Sequence, residues 1–215
     1  MFLASFEIID ISPMISPELG VFPGDCAFTR RESMAFTKGD HLTLSEMTTT
    51  MHLGAHADAP IHYHSEGVSI EKRSLDYYVG DVQVVEVKIK NGDRIKPEHL
   101  TSKIERPRVL FKTNSFPHPN RWNHDFCSFD SSMIQFLADQ GVKLVGIDTP
   151  SVDPETDKEL LAHKKIFEND MAILEGLVLT HVAPGFYFLS ALPLKIKGSE
   201  AAPVRAVLLK ANQHD

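Results

Sequence analysis

The stretch DSSMIQFLADQGVKLVGID, Asp130 to Asp148, decides how the chain is read. Asp130 stands where its carboxylate can cap the first turn of a helix. Met133, Ile134, Leu137 and Ala138 then recur at helical spacing, and Gly141 stops the run. VKLVGID (Val142–Asp148) follows as a short apolar strand, and RVLFKT (Arg108–Thr113) precedes the helix as another. Strand, helix and strand in that order predict a crossover with parallel pairing, because parallel neighbours need a long return path.

Working outward, FEIIDI (Phe6–Ile11) reads as an opening strand closed by Pro13. LTLSEMTTTMH (Leu42–His52) reads as a Thr-rich strand. In VQVVEVKIK, Val85, Val87 and Ile89 alternate with Glu86, Lys88 and Lys90, which predicts a half-buried strand. A second helix is expected over Glu159–Phe167. GFYFLSALPLKI and APVRAVLLK add two more strands, with a break at Pro193. No repeat, linker or shift of composition divides the chain. The expectation is one α/β domain over residues 1–215, built on a mixed sheet.

Composition removes several functions. The 215 residues carry a net charge of -7 with His neutral. A nucleic-acid surface needs clustered basic residues, so that class is not expected. The apolar N-terminus has no preceding Lys or Arg and is interrupted by Glu7 and Asp10, unlike a secretory signal. No apolar run approaches the roughly 18 residues of a membrane span. The two cysteines, Cys26 and Cys127, lie far apart and make no disulfide framework, so a cytoplasmic protein is expected. Neither a G-x-S-x-G elbow nor a Gly-rich phosphate loop is present.

The chemistry concentrates in MTTTMHLGAHADAPIHYH, Met47 to His64. His52, His56, Asp58 and His62 are all even-numbered, so an extended chain would point them to one face. A fully extended strand would hold His52 and His56 about 13 Å apart, too far for easy sharing of one ion. The chain must contract between them, and Gly54 is placed where a bend would do so. A helix would also juxtapose positions 52 and 56, but the Thr-rich approach and Pro60 speak against it. Two His and one Asp suit a divalent ion such as Zn²⁺, with Mn²⁺ or another ion as the alternative. Three protein ligands leave a position open for catalysis.

Downstream, NDMAILEGLVLTHV holds one charge inside an apolar run, Glu175. Burial of a lone carboxylate calls for a partner or a metal. Glu175 has Arg205 and Lys195 as ordinary candidates. His163, twelve residues earlier, has helix capping as its ordinary explanation.

HLGAHADAPIH (His52–His62) resembles the HxGTHxDxPxH signature of the metal-dependent cyclase family. VFPGD (Val21–Asp25), GIDTPSVDP (Gly146–Pro154), MAILEGLVL (Met171–Leu179) and APVRAVL (Ala202–Leu208) extend the resemblance along nearly the whole chain. Within the family it is nearest the bacterial kynurenine formamidase, or arylformamidase, branch. The resemblance implies a swivelling β/β/α domain, with a mixed barrel-like sheet flanked by helices.

It further implies two zinc ions per subunit. His52, His56 and Asp58 would hold one, and Asp58, His163 and Glu175 the other. His62 would donate and accept the proton, and Phe22 would contact substrate where formamidases usually carry Trp. The implied activity is hydrolysis of N-formyl-L-kynurenine to L-kynurenine and formate, by a homodimer, in tryptophan degradation. An isatin hydrolase-like amide hydrolase and a non-catalytic metal-binding protein are the alternatives. Ala55 replaces the signature Thr at a position that is not a ligand. His64 follows the signature either as an entrance residue or as an ordinary histidine.

Overall fold

The computed structural model describes residues 6–211. The first residues of the N-terminal stretch, on which the expectation of no secretory signal partly rests, lie outside that range. The strands in chain order are β1 (Phe6–Asp10), β2 (Thr29–Met34), β3 (Leu44–Thr48), β4 (His56–Asp58), β5 (Val79–Glu86), β6 (Arg94–Ile95) and β7 (Arg108–Lys112). They continue with β8 (Ser128–Phe129), β9 (Leu144–Ile147), β10 (Ala172–Glu175), β11 (Gly185–Ser190), β12 (Ala201–Pro203) and β13 (Val207–Ala211). Two α-helices accompany them, α1 (Ser131–Asp139) and α2 (Leu161–Glu168).

Nine strands form one mixed, barrel-like sheet in the order β1-β13-β11-β5-β7-β9-β10-β4-β12. The centre, β5-β7-β9-β10, is parallel and its flanks are antiparallel. The crossover expected from Asp130–Asp148 is present. Asp130 accepts a hydrogen bond from the Ser132 amide, α1 follows, and β9 pairs parallel to β7. Gly141 ends the helix at φ 77°, in the left-handed region that suits glycine.

Side-chain parity divides the core. Val85, Val109, Phe111, Val145, Ile147 and Ile173 pack against Met133, Ile134 and Leu137 of α1 and Ile166 of α2. Even-numbered Val82, Val84, Leu110, Leu144 and Leu174 pack on the opposite face, with Leu189 and Leu208. Two covered faces make these central strands apolar throughout, as parallel strands usually are.

That covering corrects the reading of Val82–Lys90 as a half-buried strand. The strand is β5, Val79–Glu86, clamped between β11 and β7 and buried from Val82 to Val85. The alternation beyond Glu86 belongs to chain that has left the ladder. The strand expected over Leu42–His52 is shorter, β3, and pairs only with β2 as a separate hairpin. APVRAVLLK divides into β12 and β13, at opposite sides of the sheet. Cys26 and Cys127 are both free. Among the described residues, no helix is long and apolar enough to cross a membrane.

Candidate metal centre

The centre is assembled by the register of β4 on β10. Their antiparallel pairing sets His56 opposite Glu175 and Asp58 opposite Ile173. Ala57, of opposite parity, enters the apolar core, so His56 and Asp58 share the other face. The bend between β3 and β4 brings His52 back towards them. Gly54 makes that bend at φ 56°, and a Cβ there would lie 2.9 Å from Pro13 Cγ. The contraction is large: the His52 and His56 rings sit 5.0 Å apart, centre to centre. Pro60 then opens a short 3-10 turn ending at His62, whose ring lies 4.3 Å from that of His52.

The distant part of the chain supplies the rest. His163 lies in the first turn of α2, and Glu175 ends β10. His56, Asp58, His163 and Glu175 are each at most 2% exposed. His56 Nε2 is 3.2 Å from Glu175 Oε2 and 3.5 Å from Asp58 Oδ1. His163 Nε2 is 3.4 Å from Asp58 Oδ2 and 3.7 Å from Glu175 Oε1. His52 Nδ1 is 3.0 Å from Asp58 Oδ1. The five side chains expected as ligands therefore lie close together. Glu175 pairs with neither Arg205, which bonds to Asp10, nor Lys195; its Oε1 accepts from the Val152 amide.

Proximity does not satisfy these groups. His56 Nε2, both Asp58 oxygens and His163 Nε2 are buried without a hydrogen-bond partner. Buried polar atoms left this way are costly, so four together require a common partner. The far nitrogens settle the tautomers. His56 Nδ1–H donates to the Gly54 carbonyl at 2.8 Å, and His163 Nδ1–H donates to Asp153 Oδ2 at 2.8 Å. Each Nε2 lone pair is thus turned into the cluster, as metal ligation requires. The donor chemistry fits a borderline divalent ion. Two sets have ligand atoms within 4.8 Å of one another: His52, His56 and Asp58, and Asp58, His62 and His163. His62 is thus itself a member of the second set, which does not include Glu175.

The charges are strongly coupled. Burial is the largest influence and would lower His52, but the close contact with Asp58 and the charges of Glu175 and Glu200 together outweigh it and raise the group to about 9. Burial likewise opposes protonation of His163, but the hydrogen bond to Asp153 and the nearby Asp58 and Glu175 carboxylates together lift it to about 10. Asp58 is held well below the usual carboxylate range by these histidines against its burial. His62 behaves differently. Its edge is open to solvent, yet the surrounding side chains desolvate the ring and lower its pKa.

The cluster opens into a pocket of about 220 Å³. Phe22 lines it as expected, and so do Phe116 and Trp122. Trp122 meets Phe22 edge to face at 5.5 Å, and its indole N–H donates to Glu155 Oε2 at 2.7 Å. Asp148 anchors the loop that carries this wall, accepting from the Thr113 hydroxyl and the Thr113 and Asn114 amides. Burial pushes its carboxyl up. His64 turns away from the pocket and stacks on Phe167 at 3.8 Å. Sequence reasoning missed Trp122 and Asp153. The only signals were the single Trp of the chain and an acidic residue ahead of a helix.

Known proteins share this architecture. A solved structure described as a potential metal-dependent hydrolase with cyclase activity is 26% identical, with TM-score 0.82 over 98% of this chain and 100% of that one. A predicted metal-dependent hydrolase from Bacillus stearothermophilus is 27% identical, with TM-score 0.79 over 96% and 99%. Isatin hydrolase A from Labrenzia aggregata, bound to benzyl benzoate, shares the fold at 21% identity and TM-score 0.78 over 96% and 94%. The family model described as "Putative cyclase" matches residues 9–154, which include the whole bend from His52 to His62 and the Asp153 that orients His163. With well over half of its length covered by that match, the chain belongs to the cyclase family and has the fold of its metal-dependent hydrolases.

Proposed function

We propose that the protein is a zinc-dependent amidohydrolase that cleaves N-formyl-L-kynurenine to L-kynurenine and formate, a step of tryptophan degradation. The observation that carries this reading is the set of buried, unpartnered donor atoms on His56, Asp58 and His163 beside an aromatic-walled pocket. His52, His56 and Asp58 would hold one ion, and Asp58, His163 and Glu175 a second, with Mn²⁺ as the alternative metal. Zinc bound there supplies the Lewis acidity that polarises a carbonyl and makes water nucleophilic near neutral pH.

The chain's own residues do the rest. His62, kept neutral by desolvation, takes a proton from the attacking water. It returns that proton to the aryl amine nitrogen as the C–N bond breaks. Without it the amine would leave as an anion, and the addition would reverse. Phe22 and Trp122 offer aromatic faces for the aryl ring. Phe22 lacks the N–H of an indole, and the Trp122 N–H is spent on Glu155.

A second reading, a lactam hydrolase acting on isatin, is favoured by the fold shared with isatin hydrolase A, and Phe22 is the position that leaves the choice of substrate open. A protein that only stores or senses metal has no need for an open pocket beside His62. The homodimer belongs to the same proposal. The β2–β3 hairpin leaves Leu44 and Met47 mostly exposed, and a lone hairpin is marginal in water. A second copy would cover it, which light scattering of the purified protein tests.

The deciding assay is kynurenine release from N-formyl-L-kynurenine, with isatin and formanilide in parallel, before and after chelation and zinc add-back. Zinc-restored turnover preferring formylkynurenine supports the reading. Zinc binding with preferred cleavage of isatin moves the protein to the second reading.

A further inference from the structure

Asp153 is fully buried, and most of its carboxylate contacts are with the start of α2. Its Oδ2 accepts from His163 Nδ1 at 2.8 Å and from the His163 amide at 3.0 Å. Its Oδ1 accepts from the Ala162 amide at 3.1 Å and lies 3.4 Å from an Arg94 guanidinium nitrogen. The residue that immediately precedes α2, Leu160, has φ 51° and no side-chain cap. Asp153 supplies from a distance what that position lacks, satisfying two orphan amides of the first helical turn. One carboxylate thus fixes the helix start and the imidazole projecting from it.

From this geometry we infer that Asp153 is a positioning residue that sets the tautomer and aim of His163, and so the affinity of the ion this histidine helps to hold. The inference rests on the metal-site reading above. A carboxylate can only accept, so when His163 is neutral, as ligation requires, its one ring proton sits on Nδ1 and the lone pair on Nε2, facing Asp58 and Glu175. His56 obtains the same orientation from a backbone carbonyl, that of Gly54. Only the His163 side of the centre therefore depends on a replaceable side chain. Asn at position 153 keeps the size but offers one acceptor oxygen. Its NH₂ group must face either backbone amides or His163 Nδ1. Facing Nδ1, it moves the ring proton to Nε2 and blocks ligation. Partners of this kind are worth about 10- to 100-fold in metal affinity.

The test compares the native protein with Asp153→Asn, zinc affinities being read by competition with graded chelators. Nitrogen NMR of the zinc-loaded proteins reports which His163 nitrogen carries hydrogen. The expected result is two ions in the native protein and, in the variant, one ion weakened about 10- to 100-fold while the other is unchanged. In variant molecules that lack the weakened ion His163 carries its hydrogen on Nε2, whereas His163 of the zinc-loaded native protein carries it on Nδ1. If Asp153→Asn does not fold, Asp153→Ala leaves room for water beside Nδ1 and should weaken the same ion towards the lower end of that range. Unchanged affinities, or equal weakening of both ions, would overturn the positioning role. Fewer than two ions in the native protein would instead refute the two-ion reading on which it rests.

Discussion

The two halves of the donor cluster are built in opposite ways. His52, His56 and Asp58 come from one bend, and two backbone features fix their geometry: the left-handed Gly54 and the register of β4 on β10. His163 and Glu175 come from α2 and β10, more than a hundred residues further along the chain. The local half is brought together by the bend itself, and β10, a strand distant in sequence, then holds it in register. The distributed half exists only once α2 has docked on the sheet and Asp153 has taken hold of it. Metal at the second position would thus report on tertiary packing, whereas metal at the first reports mainly on the bend. Asp58 belongs to both halves, since its two oxygens approach His52 and His56 on one side and His163 on the other.

The largest effect is expected where the halves meet. Asp58→Asn keeps the shape of the side chain but removes the charge that both donor sets share. Zinc content after dialysis should fall to near zero, and turnover to background. Retention of one ion per chain would show that the halves are independent and that Asp58 does not bridge them. His62→Ala comes next. It leaves the five proposed ligands in place, so zinc should remain while kcat drops by about 10²- to 10⁴-fold, the usual scale for a lost proton-transfer group. The short distance from His62 to Asp58 and His163 gives that variant a second use. Loss of one ion from His62→Ala would make the histidine a ligand of the distributed half instead of a proton carrier.

The same contrast explains what could be read from sequence. His52, His56 and Asp58 are legible because their spacing, parity and the intervening glycine are local properties. Glu175 is visible only as a charge out of place in an apolar run, and His163 only through resemblance to a family. Asp153 carries only a weak local mark, that of an acidic residue ahead of a helix. Its function depends on which helix packs above it, and that is settled by the sheet order. The misplacement of the β5 strand has a related cause. Alternation at Val85–Lys90 is real, but the segment that enters the ladder is the one that β11 and β7 cover on both sides. The β2–β3 hairpin escaped because β2 is largely polar and exposed, with no buried face to leave a period.

Gly176 tests whether the local half is truly local. It follows Glu175 at φ 65°, and a Cβ there would lie 2.1 Å from the Gly54 carbonyl oxygen. That oxygen is the one that orients His56. Gly176→Ala must therefore push the β10 end away from the bend, adding left-handed strain to overpacking, at a cost on the order of 3 kcal/mol. Thermal denaturation should show a Tm lower by about 10 °C for a chain of this size. Zinc affinity at the His56 side should fall with it. If only stability drops, with both affinities intact, the bend holds its shape without support from β10.

The smallest effect expected is a pH dependence, and it separates the halves by size. In the chelated protein His52 is raised to about 9 and His163 to about 10, from an ordinary 6.5. A raised histidine binds more protons when folded than when unfolded, so its contribution to stability is complete below about pH 6.5 and lost as pH climbs through the folded value. The Tm of chelated protein should fall from neutral pH towards pH 10. Zinc reverses the slope near neutrality, because ligation needs the unprotonated rings and protons compete with the metal. Tm curves of the chelated and loaded proteins should then diverge as pH rises. His163, the more buried and more strongly shifted group, should carry more of the chelated slope. His163→Gln is therefore expected to flatten that curve more than His52→Gln. Equal flattening would mean that Asp58 alone sets both titrations and that the hydrogen bond from His163 to Asp153 adds nothing to the protonated state.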